Sequence, residues 1–516
     1  MPKRRNSVES LKALKWWNPL RVRDDLPEMI AKGAEALTPA EKDLLKWVGI
    51  FFRKPTPGQF MMRIRMPNGF ATAGQLRAIA EVSRRIGNGV LDITTRQQIE
   101  LRGFTLDTVP EIWEKLRGVD LHSLQTGMDN VRNINGCALA GMAPDEWLDA
   151  SPVVFELNRI IVGTHGNPEF VNLPRKFNIT ITGCVGNCTH NESQDVALVP
   201  ARRDGRAGFN ILAGGKMGSG GFTIAQPLDV FVEPDAAAEV TAELVRIFRD
   251  HGPREARSKC RLSHLIEDWG IEELRYVLCE RLMRDLDPAG EDMRQAGRHE
   301  DHLGVRTQKQ AGMRSVGLGV TTGRVSADQT AELARLAEEY SGGGVRFTIG
   351  QNAVLPNVAE ADVPRLLREP LLRDLPVKPS PFFRGLVACT GTDYCNLAQI
   401  ETKARAVELS RALDQRLGNG RAPLTIHWSG CPAACGNHQA ADIGFRGFKA
   451  NIGGTLVEAV AIYTGGRTGP DAVAGQQIVE MALCDETLPD VVAGIIQERE
   501  LKEESHGLCE AGRAGD

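Results

Sequence analysis

The chain has 516 residues, of which 42% are hydrophobic and 25% charged, and its net charge is −4. This composition is ordinary for a globular protein and argues against a nucleic-acid-binding or membrane-surface protein. No apolar run approaches the ~18 residues of a membrane span, and the basic N-terminus lacks the apolar core of a secretory signal. We therefore predict a soluble, cytoplasmic, multidomain protein whose 11 cysteines are thiols or metal ligands rather than disulfides.

The first elements in chain order alternate strands and helices. The segment MMRIRMP predicts a strand, because Met62, Ile64 and Met66 alternate with two arginines. A turn at 68–69 precedes a helical pattern over 71–87, strands over 90–95 and 99–104, and a helix over 107–116.

The same order recurs between residues 315 and 370 at a constant offset of 254 residues, so that Gln97 corresponds to Gln351. A fixed offset over five elements predicts two copies of a β-α-β-β-α unit, each of which needs the other to complete its sheet.

A second repeat relates KFNITITGCVGNCTHNESQD (176–195) to PLTIHWSGCPAACGNHQAAD (423–442) at an offset of 247 residues. The predicted fold is therefore mixed α/β (α+β), internally duplicated and pseudo-two-fold symmetric. Two ferredoxin-like half-units form one domain, and two larger α/β modules accompany it. The predicted order is an N-terminal extension (1–48), half-unit 1 (49–125), the first larger module (126–304), half-unit 2 (305–384), the second larger module (385–500) and a charged tail (501–516).

Four thiols lie in two local pairs in the second half. Cys389 and Cys395 have C-x5-C spacing, and Cys431 and Cys435 have C-x3-C spacing. Four thiolates suit either zinc or an iron–sulfur cluster. The first spacing is wide for zinc, and the small neighbouring residues let the backbone approach an inorganic core, which favours a [4Fe–4S] cluster. Four structural thiols without a metal are the alternative.

The first half keeps a reduced version of this pattern. It has Cys184 and Cys188 at the equivalent positions but only Cys137 upstream, so it lacks a fourth thiolate. This favours a remnant of the duplication, and a second metal cluster would need a different kind of ligand.

Positive charge takes the place of thiols in the first half. Arg96 lies at a turn in TTRQQ, and Arg132 lies in DNVRN. Lys176 and Asn178 share one face of a strand predicted over LPRKFNITIT, because strand side chains alternate. A basic pocket beside a metal cluster predicts binding of a small anion, a carboxylate-rich cofactor, or both.

The glycine-rich segment AGGKMGSGGF (213–222) matches neither a dinucleotide fingerprint nor a phosphate-binding loop, and we predict a hairpin or loop beside the pocket. Without a nicotinamide, flavin or covalent-haem motif, electrons have to come from a separate protein.

Five motifs identify a family resemblance: ACTGTDYC and SGCPAACGN, preceded by TTRQ, DNVRN and LPRKFN. With them, the chain resembles the sirohaem-containing nitrite and sulfite reductases over about residues 45–500. The pattern is most similar to the ferredoxin-dependent assimilatory nitrite reductases. The resemblance implies a [4Fe–4S] cluster on Cys389, Cys395, Cys431 and Cys435, with Cys435 also bridging to the sirohaem iron. It implies that Arg96, Arg132, Lys176 and Asn178 surround the substrate face of the sirohaem, and that the three cations also neutralise the macrocycle's carboxylates.

The resemblance also implies the reaction, a six-electron reduction of nitrite to ammonium by a monomer that receives electrons from ferredoxin or a similar one-electron donor. In the family, the position of Asn178 tends to be lysine in sulfite reductases, so nitrite is favoured and assimilatory sulfite reduction is the alternative. Lys176 is the better proton donor because arginine does not deprotonate. Three other classes of protein are less favoured, because none of them explains both the basic residues and the duplication. They are a precorrin-modifying oxygenase, an iron–sulfur electron carrier and a zinc-stabilised binding protein.

Overall fold

The computed structural model describes residues 6–218 and 221–513, and within them the strands form four five-stranded sheets. The chain begins with three helices, α1 (Ser7–Leu14), α2 (Leu26–Lys32) and α3 (Pro39–Leu44). These helices pack onto the rest of the protein. The buried ammonium of Lys12 lies 2.9 Å from the carboxylate of Asp129. No helix in the described residues combines the length and the apolar sequence that crossing a membrane requires.

Half-unit 1 and the first larger module follow. Half-unit 1 consists of β1 (Ile50–Phe52), β2 (Phe60–Ile64), β3 (Phe70–Thr72), α4 (Ala73–Arg85), β4 (Val90–Ile93), β5 (Ile99–Phe104) and α5 (Val109–Arg117). The first larger module consists of α6 (Ser151–Ile161), β6 (Ile179–Ile181), β7 (Val196–Arg203), β8 (Arg206–Ala213), β9 (Gln226–Val232), α7 (Pro234–His251), α8 (Leu262–Trp269), α9 (Ile271–Leu282) and β10 (Glu291–Asp292).

The second half repeats this order. Half-unit 2 consists of β11 (Gly304–Thr307), β12 (Met313–Leu318), β13 (Arg324–Ser326), α10 (Ala327–Tyr340), β14 (Gly344–Phe347), β15 (Ala353–Ala359), α11 (Val363–Leu366) and α12 (Leu371–Asp374). The second larger module consists of α13 (Pro381–Arg384), β16 (Gly385–Ala388), α14 (Lys403–Leu417), β17 (Thr425–Ser429), β18 (Ile443–Ile452), β19 (Thr455–Thr464), β20 (Gln476–Leu483) and α15 (Leu488–Arg513).

The two half-units exchange a strand. One sheet has the order β1-β2-β5-β4-β13 and the other has the order β11-β12-β15-β14-β3. Each half-unit therefore contributes a short edge strand to its partner, which agrees with the prediction that neither closes its sheet alone. The helix that follows each exchanged strand begins with the same capping box, from Thr72 to Gln75 and from Ser326 to Gln329.

Two equivalent glutamines hold this exchange in place. The Gln97 side-chain amide donates to the carbonyl of Phe347 at 2.8 Å, and the Gln351 amide donates to the carbonyl of Ile93 at 2.9 Å. Both glutamines are buried and have positive φ angles of 56° and 64°. The tight turns between β4 and β5 and between β14 and β15 thus bind across the pseudo-two-fold axis.

The two larger modules also share their topology. In the first, β6 pairs in parallel with β7, and in the second, β17 pairs in parallel with β18. One continuous core joins the N-terminal helices, both half-units and the first larger module, whereas the second larger module has its own core around the buried Trp428.

Some elements differ from the prediction. The repeat predicts that a helix starts within residues 361–370. The helix α11 that starts there is short, because Pro370 disfavours helical backbone at the residue before it, and a separate helix, α12, follows. The segment predicted as a charged tail is helical as far as Arg513, and the rest of that tail lies outside the described residues. The residue boundaries proposed between the modules stay a prediction.

Candidate functional site

The second larger module brings its two cysteine pairs together at one edge of a sheet. β16 and β17 are parallel neighbours, so their carboxyl ends meet at the same edge. Cys389 follows directly after β16, and Cys431 lies two residues beyond the end of β17. The N–H of Cys389 continues the ladder by donating to the carbonyl of Trp428 at 3.0 Å. The sequence pattern of a buried strand followed by cysteine therefore places the thiols side by side.

Backbone groups close around these sulfurs. The N–H of Gly430 donates to Sγ of Cys389 at 3.2 Å, and the N–H of Leu397 donates to Sγ of Cys395 at 3.5 Å. The loop folds back so tightly that a Cβ at Gly436 would lie 2.0 Å from the carbonyl oxygen of Trp428. Only glycine fits there, and the backbone approaches the sulfurs closely, as the small neighbouring residues predicted.

All four cysteines line one cavity of about 410 Å³. No three of their sulfurs lie within 4.8 Å of one another. Among the described residues, the side chains that are this close are those of Cys137, Cys188 and His302. A single tetrahedral zinc ion with Zn–S bonds of ~2.3 Å holds its sulfurs roughly 3.8 Å apart. The wider arrangement fits a cluster in which each sulfur binds a different iron.

Burial affects the protonation of these thiols. It raises the pKa of Cys389 to about 12, with a further contribution from neighbouring Cys435, and it raises the pKa of Cys431 to about 11. Cys435 is the exposed member of the set. As free thiols Cys389 and Cys431 keep their protons, so a bound metal would take the place of those protons.

The remaining walls of the cavity are strongly basic. Eight basic side chains line it against two carboxylates, those of Asp92 and Glu100. The basic residues are Lys46, Arg53, Arg63, Arg96, Arg132, Arg175, Lys176 and Lys403. The excess of positive charge matches an anionic, carboxylate-rich ligand of cofactor size.

The four predicted basic-pocket residues lie near the cluster loop. Arg96 and Lys176 line both the main cavity and a smaller adjoining one, which they share with Asn178 and Cys435. Nε of Arg96 donates to Oδ1 of Asn178 at 3.3 Å. The hydroxyl of Thr95 donates to the carbonyl of Cys435 at 3.1 Å, which joins the arginine-bearing turn directly to the cysteine loop.

Three of the cations have no carboxylate partner in the part of the chain that the structure describes. Arg132 donates to the carbonyl of Thr126 at 2.7 Å, Arg96 donates to an amide, and Lys176 makes neither a hydrogen bond nor an ion pair within the described residues. Burial, followed by the charges of Arg261 and Arg96, lowers the pKa of Lys176 well below its ordinary value. Burial and neighbouring arginines likewise lower the pKa of Arg132. An anion bound among these groups would remove the cost of this repulsion.

The strand that carries Lys176 and Asn178 is shorter than predicted. Only Ile179–Ile181 is a strand, because the N–H of Asn178 donates to the carboxylate of Asp195 at 2.7 Å instead of extending the sheet. Asp195 is in turn held by a buried, two-pronged ion pair with Arg261. Asn178 is therefore fixed at its backbone and at its side-chain oxygen.

Several basic lining residues were not predicted from the sequence. Arg63 and Arg175 lie within motifs that the sequence singled out, but charges in strands and loops usually indicate solvent-facing positions. Nε of Arg53 is buried without a hydrogen-bond partner in the described residues. Such an orphaned donor next to a cavity fits a ligand that would accept its hydrogen bond.

The cysteines of the first half also come together. Cys137, Cys184 and Cys188 are buried, and His302, which the sequence analysis did not identify, lies against them. Hydrogen bonds from Cys137 and Cys188 lower the pKa of Cys184 to about 3. No local motif links His302 to the cysteines, so only the fold reveals it.

The glycine-rich segment is a hairpin, as predicted, at least where it is described. Lys216 pairs with Thr223, and Met217 lines the smaller cavity beside Ala434. Residues 219–220 of this segment lie outside the described residues.

Comparisons with known proteins agree with this arrangement. Residues 127–286 and 380–498 match the family model described as the nitrite and sulphite reductase 4Fe-4S domain. Residues 52–119 and 306–372 match the nitrite/sulfite reductase ferredoxin-like half domain. The two pairs of matches interleave in the order expected from the internal duplication.

Curated relatives and a solved structure match nearly the whole chain. The ferredoxin–nitrite reductase of Synechococcus elongatus is 43% identical over 96% of both chains. The chloroplastic ferredoxin–nitrite reductase of Zea mays is 42% identical over 90% of this chain and 83% of its own length. The structure of the Mycobacterium tuberculosis NirA protein superposes with a TM-score of 0.88 at 30% identity, covering 95% of this chain and 93% of that one.

The buried carboxylate of Glu100 generates a stability prediction. Burial raises its pKa, but the charges of Arg63 and Arg102 outweigh burial and lower the pKa to about 2. We expect Glu100→Gln to lower the free energy of unfolding by about 3 kcal/mol at pH 7, because Arg63 loses its carboxylate partner and Arg102 keeps only Asp92. The ionised Glu100 contributes its full stabilisation above the pKa of glutamate in the unfolded chain, and this stabilisation is lost as pH falls toward 2. The difference in unfolding free energy between wild type and Glu100→Gln should therefore be about 1 kcal/mol smaller at pH 4 than at pH 7.

Urea unfolding followed by tryptophan fluorescence at both pH values measures this difference. Glu114→Gln, on an exposed face of α5 and without an ion pair in the described residues, is the matched control. An equal deficit for both variants, or one that does not change with pH, would contradict the assignment.

Proposed function

Because this chain belongs to the nitrite and sulphite reductase family, we propose that it is an assimilatory nitrite reductase that takes electrons from a ferredoxin and reduces nitrite to ammonium. The observation that carries the proposal is the cavity in which four thiols face cations without carboxylate partners. Relatives that cover nearly the whole chain and are named ferredoxin–nitrite reductases support the same reaction. As predicted from the sequence, the proposed enzyme is a cytoplasmic monomer.

The proposed cofactors are a [4Fe–4S] cluster and sirohaem. Cys389, Cys395, Cys431 and Cys435 would hold the cluster, and the exposed thiolate of Cys435 would also be the ligand shared with the sirohaem iron. When bound, these groups supply an iron site for the anion and single electrons for a six-electron reduction. The unpaired cations opposite the thiols would neutralise the macrocycle's carboxylates.

Substrate binding follows from the same charges. Arg96 and Arg132 can orient a small anion through several N–H donors, and a guanidinium gives up its proton less readily than an ammonium. Their partners are a neutral amide and a backbone carbonyl, so their charge is available to the substrate. Preorganised cations in a buried site stabilise the charge that develops on the oxygens of nitrite as its N–O bonds break.

Lys176 is the proposed proton donor. Its pKa is lowered well below the ordinary value, chiefly by burial and then by two neighbouring arginines. A lysine with a lowered pKa gives up a proton more readily than an ordinary lysine and can be recharged from water. The protons consumed in making ammonium and water would pass through its ammonium group at the rim shared by the two cavities.

Asn178 is the proposed basis of preference for nitrite. Its Oδ1 accepts from Arg96, so the Nδ2 amide is left to donate toward the smaller cavity. A neutral donor suits a monoanion, whereas a lysine at the same place would favour the more highly charged sulfite. Sulfite reduction with the same cofactors is the second candidate, because the matching family models cover both activities.

The proposed reaction is tested by turnover of purified, sirohaem-loaded enzyme with reduced ferredoxin or reduced methyl viologen. Nitrite and sulfite are supplied in parallel, and ammonium and sulfide are quantified. We expect kcat/KM for ammonium formation to exceed that for sulfide formation. The opposite order would move the enzyme to sulfite reduction and leave the family assignment unchanged.

Asn178→Lys should shift the ratio of kcat/KM values from nitrite toward sulfite by about tenfold, because one added buried charge changes differential binding by about 1.4 kcal/mol. Asn419→Lys, in the exposed loop after α14, adds the same charge away from the cavity and should leave the ratio unchanged. Equal ratios in wild type and Asn178→Lys would remove this residue as the discriminator.

Lys176→Gln should lower kcat for nitrite by about a hundredfold, which is typical for loss of a positioned proton donor. Wild-type activity should decline as pH rises through the lowered pKa of Lys176, and the variant should lack this alkaline decline. Lys176→Arg should retain nitrite binding but not kcat, since guanidinium holds its proton. Lys378→Gln, on the exposed surface, is the control. A normal kcat with an unchanged pH profile in Lys176→Gln would exclude the assigned role.

A further inference from the structure

A second group of metal-binding side chains lies apart from the cavity described above. The Sγ atoms of Cys137 and Cys188 and a ring nitrogen of His302 all lie within 4.8 Å of one another. Sγ of Cys137 is 3.5 Å from Nε2 of His302. The thiol of Cys184 interacts with both of the other cysteines. Two sulfurs and one imidazole nitrogen thus converge, and Cys184 adjoins them as the candidate fourth ligand.

The spacing distinguishes this group from the four thiols of the cavity. A tetrahedral ion bound at ~2.3 Å by sulfur and ~2.0 Å by nitrogen holds its ligand atoms roughly 3.5–3.8 Å apart. Cys137, Cys188 and His302 lie close to this compact geometry, whereas no three cavity thiols lie within 4.8 Å of one another. The chemistry of three thiols and one histidine is a common ligand set for structural zinc.

The internal duplication gives independent support. Cys184 and Cys188 occupy the positions equivalent to Cys431 and Cys435. The two loops end alike, because the equivalent residues His190 and Asn437 both have left-handed φ angles, 49° and 57°, and each precedes a short 3-10 turn. A loop frame that presents thiols to a metal-sized space therefore exists in both modules.

We propose that Cys137, Cys184, Cys188 and His302 bind one zinc ion as a structural site. All four residues are less than a tenth exposed, so the ligand set is closed and leaves no position for a substrate. The N–H of Leu139 donates to Sγ of Cys137 at 3.3 Å, which stabilises a thiolate there. The histidine is the different ligand that replaces the missing fourth thiolate of this half.

The site would join three segments that are distant along the chain. Cys137 follows the segment that carries Arg132, and Cys184 and Cys188 lie in the loop between β6 and β7. His302 lies two residues before β11, at the entry to half-unit 2. A bound ion would therefore clamp the first larger module to the strand-exchanged domain, and its role would be mechanical rather than redox. The assignment does not depend on the proposed nitrite chemistry.

Metal analysis of the untagged holoenzyme, dialysed against a chelator, tests the proposal. We expect about one zinc per chain in addition to the iron of the cofactors. Cys184→Ser and His302→Gln should each lower zinc content at least fivefold while the tetrapyrrole absorption and the iron content persist. Cys279→Ser, a half-buried cysteine on α9, should retain zinc. Three results would overturn the assignment. The wild type could contain no zinc, both variants could retain zinc, or the site could hold iron that the same two variants remove.

X-ray absorption at the zinc edge of the wild-type holoenzyme keeps the test decisive if the variants fail to fold. The expected first shell is three sulfurs at ~2.3 Å and one nitrogen at ~2.0 Å. A shell made only of oxygen and nitrogen would identify zinc bound elsewhere and would overturn the site.

Discussion

The exchange of one strand between the half-units is the constraint on which the rest of the structure depends. β13 completes the sheet of half-unit 1 and β3 completes the sheet of half-unit 2. The buried amides of Gln97 and Gln351 then bind across the join. Because a buried amide without partners costs about 1–3 kcal/mol, the two turns are held in one relative position. Arg96 lies in one of these turns. The strand-exchanged domain therefore determines how this cation faces the thiols, although the domain itself contributes no thiol to the cavity.

Duplication followed by divergence explains how one cavity acquires two chemistries. Equivalent aspartates, Asp195 and Asp442, accept from the N–H of equivalent residues, Asn178 at 2.7 Å and Thr425 at 2.9 Å. The backbone frame is therefore shared, and the side chains differ. One module provides thiols at the carboxyl ends of parallel strands, and the other provides cations and an amide. Separation of the two roles lets electron supply and anion recognition be adjusted independently at a single interface.

Much of the fold and of the cavity could be predicted from the sequence because the relevant signals are local. Hydrophobic spacing and a constant offset identified both half-units, and the spacing of two cysteine pairs identified the four thiols. The exchanged strands could not be seen, since β3 and β13 have three residues each and merge with the start of the helices that follow. The strand predicted at Lys176 was too long because a side chain, Asp195, takes the N–H that periodicity assigns to a sheet.

Residues that act through long-range contacts were missed for a different reason. His302 is more than a hundred residues from the nearest cysteine of its group, and nothing in its own neighbourhood marks it. Arg53 and Arg63 belong to segments where charge usually indicates solvent, and only the tertiary structure turns them toward a cavity. Sequence periodicity reports which residues are buried by their own element. It carries no information about burial by an element elsewhere in the chain.

Strand exchange also has a consequence for biosynthesis. The ribosome releases β4 and β5 roughly 230 residues before it releases β13, the strand that covers the edge of β4. At about 5–20 residues per second, that edge waits for about 10 to 50 s with its backbone groups unpaired. The open edge is a template for association with another nascent chain during this interval. A chaperone that occupies β4 until Arg324–Ser326 emerges would therefore raise the yield of folded protein without acting on any later step.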